Sequence, residues 1–324
     1  MNFPTYVVVL DIGGTKIASA IAAYEKKDTC PTLLNRCSRP TEAAQGGDHV
    51  LDNVCDAVAL QLEYAKNSSL TISGIGVDTA GCVNSREGSI LYANEIMPGW
   101  TGQPIAKRLG DEFGLAVSVM NDVHGHAQGE ARWGSAKGLH SALVVAAGTG
   151  IGGAYVLEGK VVRGSRGAAG HIGHSLTPAA DGFLCSCGKT RHIESVASGT
   201  GIGALYQNKA LMDEGYDPQI DGAYVSKLAY AGDKKAHDTL DKAGFALGEC
   251  IGSWINLFDP AVIVLSGSVT KAGPIWKEAL VRGVESQVMP LLKDTPIVEA
   301  SLGDDAPLIG AAEDICDLLQ TLNG

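Results

Sequence analysis

Short β-branched runs alternate with stretches of helical period along the chain. Strands are predicted at residues 6–10, 17–22, 73–77, 117–120, 142–147, 154–157, 261–265 and 297–301, whereas residues 25–47 are predicted to be mainly loop. Val50, Val54, Val58 and Leu62 recur every four positions, which predicts an amphipathic helix that starts near Asp48. Further helices are predicted at 122–133, 194–207, 235–258, 274–289 and 307–322. This succession of strands and helices predicts an α/β protein.

Two of the predicted strands run directly into glycine-rich turns. The first leads into Asp11-Ile-Gly-Gly-Thr-Lys16, and the strand at 142–147 leads into Gly148-Thr-Gly-Ile-Gly-Gly153. Glycine lets the backbone approach a ligand closely, and successive N–H groups can bind phosphate oxygens. Asp11 can in addition hold a magnesium ion. One such turn also fits an ordinary hairpin, but two in equivalent settings indicate an internal duplication that binds a polyphosphate.

A carboxylate follows the strand at 117–120, in the pair Asn121-Asp122. Ligands in α/β sheets lie at the carboxyl ends of the strands, although an Asp at this position also fits a helix N-cap. The long polar segment 78–102 is predicted to be a loop that contains a hairpin, and loops of this length are often functional. Within it, Gly81 and Asn94 are candidate ligand contacts, although Asn94 could equally cap a turn.

Composition narrows the class of protein. The 324 residues suggest two domains or one large one, and the net charge of −11 lacks the basic footprint of a nucleic-acid binder. The sequence has no apolar stretch of about 18 residues and no basic segment before its first apolar run, so we expect neither a membrane span nor a signal peptide. Eight cysteines in such a chain are typical of cytosolic thiols, which predicts a cytoplasmic protein.

Segment 168–194 concentrates ligands for a soft metal. It contains His174, Cys185, Cys187 and His192, and Glu194 follows directly. Two thiolates and two imidazoles suit a tetrahedral zinc ion, which would be structural because no coordination position stays open. The alternative is a loop without a metal.

Together, these motifs resemble the ROK family of sugar kinases and repressors. The resemblance continues through Gly170-His-Ile-Gly-His174, Asp259-Pro-Ala-Val-Ile-Val-Leu-Ser-Gly-Ser268 and Leu308-Ile-Gly-Ala-Ala312, so it covers essentially the whole chain. It implies the actin-like ATPase fold, with two α/β domains and a cleft between them. The smaller domain would comprise residues 1–121 and about 306–324, and the larger one, 122–305, would carry the zinc site and a homodimer surface. ATP, Mg²⁺ and a small-molecule sugar are the implied ligands.

The resemblance also implies a role for each motif residue. Asp122 would be the general base that takes the proton of the sugar hydroxyl. The sugar would contact Gly81, Asn94, Asn121, Asp122, His171, His174 and Glu194. ATP would contact Asp11, Gly13, Gly14, Thr15, Lys16, Gly148, Thr149, Gly150, Gly267 and Gly310. The chain departs from the family at His192, where a third cysteine is usual.

Two short segments point to a particular sugar. Glucose-type members tend to carry Glu where this chain has His171, and His171-Ile-Gly-His174 is similar to bacterial N-acetylmannosamine kinases. The run Gly81-Cys-Val-Asn-Ser-Arg-Glu-Gly88 resembles the animal N-acetylmannosamine kinase domain, except that Cys82 replaces an Arg. We therefore expect phosphorylation of N-acetylmannosamine at O6, a step of sialic acid catabolism, with glucose as the alternative. A repressor is disfavoured because it would need a helix-turn-helix before the first glycine turn.

Overall fold

A computed structural model describes residues 3–94, 97–211 and 213–323 and shows a mixed α/β protein. Its strands are β1 (Thr5–Ile12), β2 (Lys16–Tyr24), β3 (Thr32–Pro40), β4 (Ile72–Thr79), β5 (Cys82–Asn84), β6 (Ser89–Tyr92), β7 (Ala116–Asn121), β8 (Ser141–Ala147), β9 (Ile151–Leu157), β10 (Lys160–Val161), β11 (Ile263–Ser266) and β12 (Ile297–Glu299). Its α-helices are α1 (Gly47–Asn67), α2 (Ile105–Phe113), α3 (Asp122–Trp133), α4 (Glu194–Ala197), α5 (Gly199–Gln207), α6 (Gly222–Tyr230), α7 (Lys234–Phe258), α8 (Pro274–Gln287) and α9 (Ala306–Asn323). Within the described ranges, none of these helices combines the length and the apolar character that crossing a membrane requires.

The chain forms two compact units. Unit 1 consists of Met1–Gly138, Val156–Ala169 and Ser301–Gly324, and unit 2 consists of Leu139–Tyr155 and Gly170–Ala300. The sequence led us to expect one domain to end at residue 121 and resume near 306. Helix α3 accounts for this difference in boundaries, because it packs along α9 and therefore belongs to unit 1.

Unit 1 is built on a five-stranded sheet with the order β3-β2-β1-β4-β7. Successive residues of β1 point to opposite faces. Val8, Leu10 and Ile12 pack in a core with α1 and α2, whereas Val7 and Val9 pack with α9 on the other face. The sheet is therefore covered on both sides, which explains why β1 is an uninterrupted apolar run in the sequence.

The parallel register of unit 1 determines which polar residues meet at the carboxyl edge of its sheet. Strands β1, β4 and β7 are parallel, with Asp11 opposite Asp78 and Thr79 opposite Asn121. These residues thus lie at one end of three adjacent strands, and Asp122 begins α3 directly after the third. This is the edge at which α/β sheets bind ligands.

Unit 2 contains most of the second sheet, whose order is β10-β9-β8-β11-β12. Strands β8, β11 and β12 are parallel, and their apolar side chains form a core with α4 to α8. Helices α7 and α8 pack closely because Gly244, Gly248 and Gly252 line one face of α7, where side chains would overlap the backbone of α8. The predicted long helix is confirmed, and it ends before Pro260 as expected.

Four segments differ from the sequence prediction. Residues 25–47 contain β3, an edge strand whose mixed polar and apolar residues give no apolar run. The predicted helix at 194–207 is two helices, because Ser198 has extended backbone and its Oγ accepts a hydrogen bond from the N–H of Gly201 at 2.9 Å. Helices α2 and α6 were not predicted, since each is only nine residues long.

Candidate active site

The first glycine turn joins β1 to β2 and is closed by its own backbone. The N–H of Gly13 donates to the carbonyl of Lys16 at 2.9 Å, and Thr41 Oγ1 donates to the carbonyl of Gly13 at 2.6 Å. Thr15 and Lys16 are exposed. An exposed Thr and Lys on a fixed glycine turn can bind phosphate oxygens.

Asn121 and Asp122 form the junction between β7 and α3. Asn121 caps α3, because its Oδ1 accepts from the N–H groups of Val123 at 3.1 Å and His124 at 3.3 Å. Its Nδ2 donates to Asp122 Oδ1 at 2.8 Å and to the carbonyl of Gly81 at 2.9 Å. Val123 N–H donates to the same Asp122 oxygen at 2.9 Å. The Asp122 carboxylate is therefore held in one orientation at the positive end of a helix.

A further acidic residue, which the sequence analysis did not single out, lies at the carboxyl edge of the sheet of unit 1. Asp78 is fully buried, and neither of its carboxyl oxygens has a hydrogen-bond donor among the described residues. Burial raises the pKa of Asp78 well above its usual range, and the neighbouring Asp11 carboxylate raises it further. Burial also raises the pKa of Asp11. A protonated Asp78 can donate to Asp11, which satisfies both groups.

Gly81 and Asn94 flank the hairpin formed by β5 and β6. Gly81 has φ +102°, and a Cβ there would lie 2.8 Å from the carbonyl oxygen of Tyr92, so both its conformation and its surroundings require glycine. Asn94 is exposed at the same open end of the hairpin, where its carbonyl accepts from the N–H of Met97 at 3.0 Å. The hydrogen bond from Asn121 to Gly81 connects the hairpin to Asp122.

The second glycine turn, at residues 148–150, is supported by α5. Gly148 N–H donates to the carbonyl of Gly150 at 2.9 Å, which closes the turn. The first turn of α5 binds it from outside: Gly199 N–H donates to the carbonyl of Gly148 at 2.7 Å, and Thr200 Oγ1 donates to the carbonyl of Thr149 at 2.8 Å. The sequence predicted that the two glycine turns are alike, and each of them is closed by a hydrogen bond between its own backbone groups.

A cavity of about 320 Å³ adjoins the second turn within unit 2. It is lined by Thr149, Gly199, Thr200, Ile202, Asp221, Gly222, Ala223, Ser226, Ser268, Val269, Lys271 and Ala272. Of these, the sequence analysis singled out only Thr149 and the turn around Gly267. The residues from α5 and α6 were missed because they carry no motif, and because α6 itself was not predicted. The apolar walls and the adjoining glycine turn suit a base with attached phosphates.

The four predicted metal ligands come together. One donor atom from each of His174, Cys185, Cys187 and His192 lies within 4.8 Å of all the others. Cys185 Sγ is 3.6 Å from His174 Nδ1, and Cys187 Sγ is 3.2 Å from His192 Nδ1. Tetrahedral zinc with ordinary bond lengths requires sulfur–nitrogen distances of about 3.6 Å, and these two distances are close to that value. Burial lowers the pKa of His174, which favours the neutral imidazole that metals bind.

Glu194 lies between the metal ligands and the second glycine turn. Its Oε1 accepts from Ser186 Oγ at 2.8 Å, and Cys185 Sγ lies 3.6 Å from the same oxygen. Its Oε2 accepts from the N–H of Ile151 at 3.0 Å. The sequence predicted that Glu194 would sit beside the metal site, but the contact with Ile151 joins positions far apart in the sequence and was not expected.

The predicted ligand contacts His171, Gly267 and Gly310 differ in exposure and in packing. His171 is exposed, with its ring centroid 6.0 Å from that of His174. Gly267 has φ +90° and lies against Ala147, the last residue of β8. Gly310 is buried in α9, where a Cβ would overlap the carbonyl oxygen of Gly125 in α3. Gly310 therefore has a packing role, and its approach to the adenosine stays a prediction.

The chain is similar in sequence to known proteins along nearly its whole length. The model of the ROK family matches residues 7–315. A glucokinase from Halalkalibacterium halodurans is 32% identical over 314 residues, which cover 94% of this chain and 93% of that protein. An N-acetylmannosamine kinase from Pasteurella multocida is 27% identical over 316 residues, which cover 97% of each chain.

Solved structures show the same fold. A ROK hexokinase from Thermus thermophilus superposes with a TM-score of 0.80 at 30% identity, covering 99% of this chain and 100% of that one. A ROK glucokinase from Streptomyces griseus, solved with glucose and AMPPNP, gives a TM-score of 0.74 at 25% identity, covering 95% and 98%.

The fold and the site define an ATP-dependent sugar kinase with the actin-like ATPase fold. More particularly, the chain belongs to the ROK family.

Proposed function

We propose that this kinase transfers the γ-phosphoryl group of ATP to the 6-hydroxyl of N-acetylmannosamine, with Asp122 as the general base. The observation that carries the proposal is the fixed Asp122 carboxylate, held by Asn121 Nδ2 and the N–H of Val123 at the start of α3. A primary hydroxyl is a poor nucleophile, and a positioned carboxylate can take its proton as the phosphoryl group transfers. The positive end of α3 favours the ionised form of this base.

The reaction exchanges one phosphorus–oxygen bond for another and transfers one proton. Oxygen O6 of the sugar bonds to the γ-phosphorus, the bond from that phosphorus to the β,γ-bridging oxygen breaks, and ADP leaves with the electron pair. The proton of O6 passes to Asp122. Mg²⁺ accompanies ATP and neutralises its phosphate charge. Asp11 and the turn formed by Gly13, Gly14, Thr15 and Lys16 are the groups of unit 1 that we assign to this anion.

In unit 2, we assign ATP to the cavity and the adjoining turn of Gly148, Thr149 and Gly150. The cavity of about 320 Å³ has room for a nucleobase, and the turn presents backbone N–H groups for phosphates. Gly267 has no side chain at the end of β11, near the Ser268 and Val269 that line the cavity. Gly310 stays an assignment by resemblance.

We assign the sugar contacts to the residues that the family resemblance implies, which are Gly81, Asn94, Asn121, Asp122, His171, His174 and Glu194. The choice of N-acetylmannosamine rests on His171 and is supported by the similarity to the Pasteurella multocida kinase. The higher identity to a glucokinase supports glucose as the second candidate.

We propose that His174, Cys185, Cys187 and His192 hold a structural zinc ion. The clustering of their donor atoms, all within 4.8 Å of one another, and the type of these donors support this assignment. His174 can then serve two ligands, because its Nδ1 faces Cys185 while its second ring nitrogen remains for the sugar. The zinc would fix the loop that carries His174 and precedes Glu194.

We further propose a homodimer. Leu257 and Leu291, both in unit 2, are 75% and 86% exposed, and covering such side chains would stabilise an association. Light scattering on the purified protein should give twice the chain mass. A single chain mass at micromolar concentration would contradict the dimer.

The catalytic assignment is tested by Asp122→Asn in a coupled ADP-release assay. We expect kcat to fall about 10²- to 10⁴-fold, because the amide cannot take the proton, while the sugar affinity is largely kept. Wild-type protein assayed against N-acetylmannosamine, glucose, N-acetylglucosamine and mannose identifies the acceptor. Near-normal turnover by the variant would refute Asp122 as the base, and a strong preference for glucose would refute the proposed substrate.

A further inference from the structure

The Glu194 side chain contacts two segments of unit 2 at once. One carboxylate oxygen, Oε1, faces the metal-binding loop through Ser186 and Cys185, and the other, Oε2, binds the N–H of Ile151 at the end of the second glycine turn. Gly150 lies so close that a Cβ there would be 2.7 Å from Oε2. The contacts with Gly150 and Ile151 join segments that are remote in the sequence.

The same helical segment supports the glycine turn from its other side. Gly199 N–H and Thr200 Oγ1 bind the carbonyls of Gly148 and Thr149, only five and six residues after Glu194. The turn is thus held at its carbonyl groups by the start of α5 and at its following N–H group by Glu194. A displacement of the Glu194 carboxylate would release one side of this support.

We infer that Glu194 couples the sugar subsite to the phosphate-binding turn, and that Ser186 is a positioning residue for this coupling. This inference rests on the proposed function, in which Glu194 contacts the sugar and residues 148–150 contact ATP. A sugar that binds Glu194 restrains the carboxylate, and the restrained Oε2 holds the turn in the conformation that receives the phosphates. Sugar and nucleotide therefore bind with a positive coupling free energy that passes through one side chain.

Ser186 is suited to the positioning role because its hydroxyl fixes Oε1. It is exposed and lies between Cys185 and Cys187, so the loop that carries it is fixed by the metal ligands. Substitution of Ser186 changes none of the residues of the proposed metal site or of the glycine turn, and it leaves Glu194 in place. The loss of one hydrogen bond to a charged group should nevertheless weaken the restraint on Glu194.

The coupling is measured as the ratio of AMPPNP dissociation constants without and with saturating sugar, by calorimetry on zinc-loaded protein. We expect a ratio of at least about five for the wild type, within the usual range of coupling between sites. Ser186→Ala should reduce the ratio about fivefold, the typical effect of one such hydrogen bond, with little change in AMPPNP affinity when the sugar is absent. Ser186→Thr should restore the ratio, because it keeps the hydroxyl.

Thr190→Ala is the matched control. Thr190 is exposed in the same loop, and its side chain makes no hydrogen bond to any residue within 3–94, 97–211 or 213–323. This variant should keep the wild-type ratio at equal zinc content. Gly150→Ala should lower the ratio more strongly than Ser186→Ala, since its methyl group displaces Oε2 directly.

Two results would overturn the inference. One is a wild-type ratio of one, and the other is an unchanged ratio in Ser186→Ala, in either case with normal sugar phosphorylation by the wild type. Absence of sugar phosphorylation by the wild-type protein would instead refute the proposed function. The two failures are therefore distinguished by the turnover assay.

Discussion

The Asp78 carboxyl group is fully buried, and neither water nor a hydrogen-bond donor from the described residues contacts it. An ionised carboxylate in such a place is strongly disfavoured, so the group binds a proton instead. Its raised pKa means that the folded state holds this proton at a pH at which the unfolded chain has lost it. The contribution of this proton to the free energy of unfolding is therefore complete below pH about 4. It is lost as the pH rises toward the pKa of Asp78 in the folded state.

Asp78→Asn should remove this dependence on pH. The amide is close to the carboxyl group in shape and stays neutral, so we expect the variant to gain stability relative to the wild type between pH 5 and pH 8, by roughly 1–3 kcal/mol at the upper end. Urea unfolding at several pH values measures the difference. Parallel stability curves for the two proteins across this range would show that Asp78 is ionised in the folded state as well as in the unfolded chain, and would contradict its raised pKa.

Single residues were predictable from the sequence where they occupy a recognisable position. Asp11 and Asn121-Asp122 follow clear apolar strands, and the structure places them at the carboxyl edge of one sheet. Asp78 also ends a strand, but in the sequence it opens the polar segment 78–102 and resembles an ordinary loop residue. Its burial depends on Gly125, whose missing side chain makes space for the Asp78 carboxyl group. Such a contact between distant segments leaves no local pattern.

Helix α9 can lie against α3 because glycines remove the side chains between them. Gly310 of α9 faces the carbonyl of Gly125, and Gly129 of α3 faces the carbonyl of Ala306. Close approach of two helices in this way brings their backbones into van der Waals contact. Helix α3 carries Asp122, so its position depends on this packing.

Gly310→Ala should therefore destabilise the protein by about 1–3 kcal/mol, because its methyl group overlaps backbone that cannot move aside. Chemical denaturation followed by circular dichroism measures the loss. The control is Gly110→Ala in α2, where a Cβ would meet only the carbonyl oxygen of Leu115, at an ordinary 3.7 Å. That substitution should be neutral or stabilising by up to about 1 kcal/mol, since Ala favours helix. Equal effects of the two substitutions would argue against close helix packing as the cause.

The metal-binding loop is the element whose order should depend most on a ligand. Purified protein should contain one zinc ion per chain, and its removal by a strong chelator should lower the melting temperature, because metal binding stabilises only the folded site. Added Zn²⁺ should restore the original value, and added Mg²⁺ should not.

Substitution of single residues tests which side chains bind the proposed zinc ion and which cysteines do not. His192→Ala should lose most of the zinc, whereas His192→Cys should retain it, since both side chains offer a ligand that zinc accepts. Cys37→Ser, in strand β3 of unit 1, should keep the full metal content. Full zinc content in His192→Ala would show that His192 is not a ligand.

Elements were predictable in proportion to their length and burial. The 25-residue α7 and the buried strands β1 and β8 follow strong patterns. The break between α4 and α5 depends on a single residue, Ser198, whose Oγ donates to the carbonyl of Glu194 at 2.7 Å and caps the next helix. The segment with His174, Cys185, Cys187 and His192 is an exception, because the sequence singled out these four side chains without any regular structure and their donor atoms do lie together.

At the scale of the whole molecule, the sequence predicted an α/β protein, and the resemblance predicted the actin-like ATPase fold. The unit boundaries were harder to predict, because unit 1 takes three separate stretches of chain and unit 2 takes two. No flexible linker marks these crossings in the sequence. They are defined by packing between remote elements, such as α3 with α9, and not by local composition.

The assignment of the nucleoside to the cavity of unit 2 can be tested by hydrogen exchange. AMPPNP alone should slow exchange at residues 148–151, 199–202, 221–226 and 268–272, by roughly 10- to 100-fold at a concentration about 100 times the Kd. Helix α1, on the sheet of unit 1, is the internal reference and should be unchanged. Protection confined to segments other than these four would contradict the assignment.

The discontinuity of unit 1 has a consequence for synthesis on the ribosome. One face of its sheet, with Val7 and Val9, is covered by Leu308, Ala311 and Ile315 of the last helix. At ordinary elongation rates, the intervening residues take on the order of 15–60 s to make. During that interval one apolar face of the sheet is not yet packed against the last helix. We therefore expect chaperones to bind mainly to unit 1 of the nascent chain. We also expect truncation at the carboxyl terminus to destabilise unit 1 in particular.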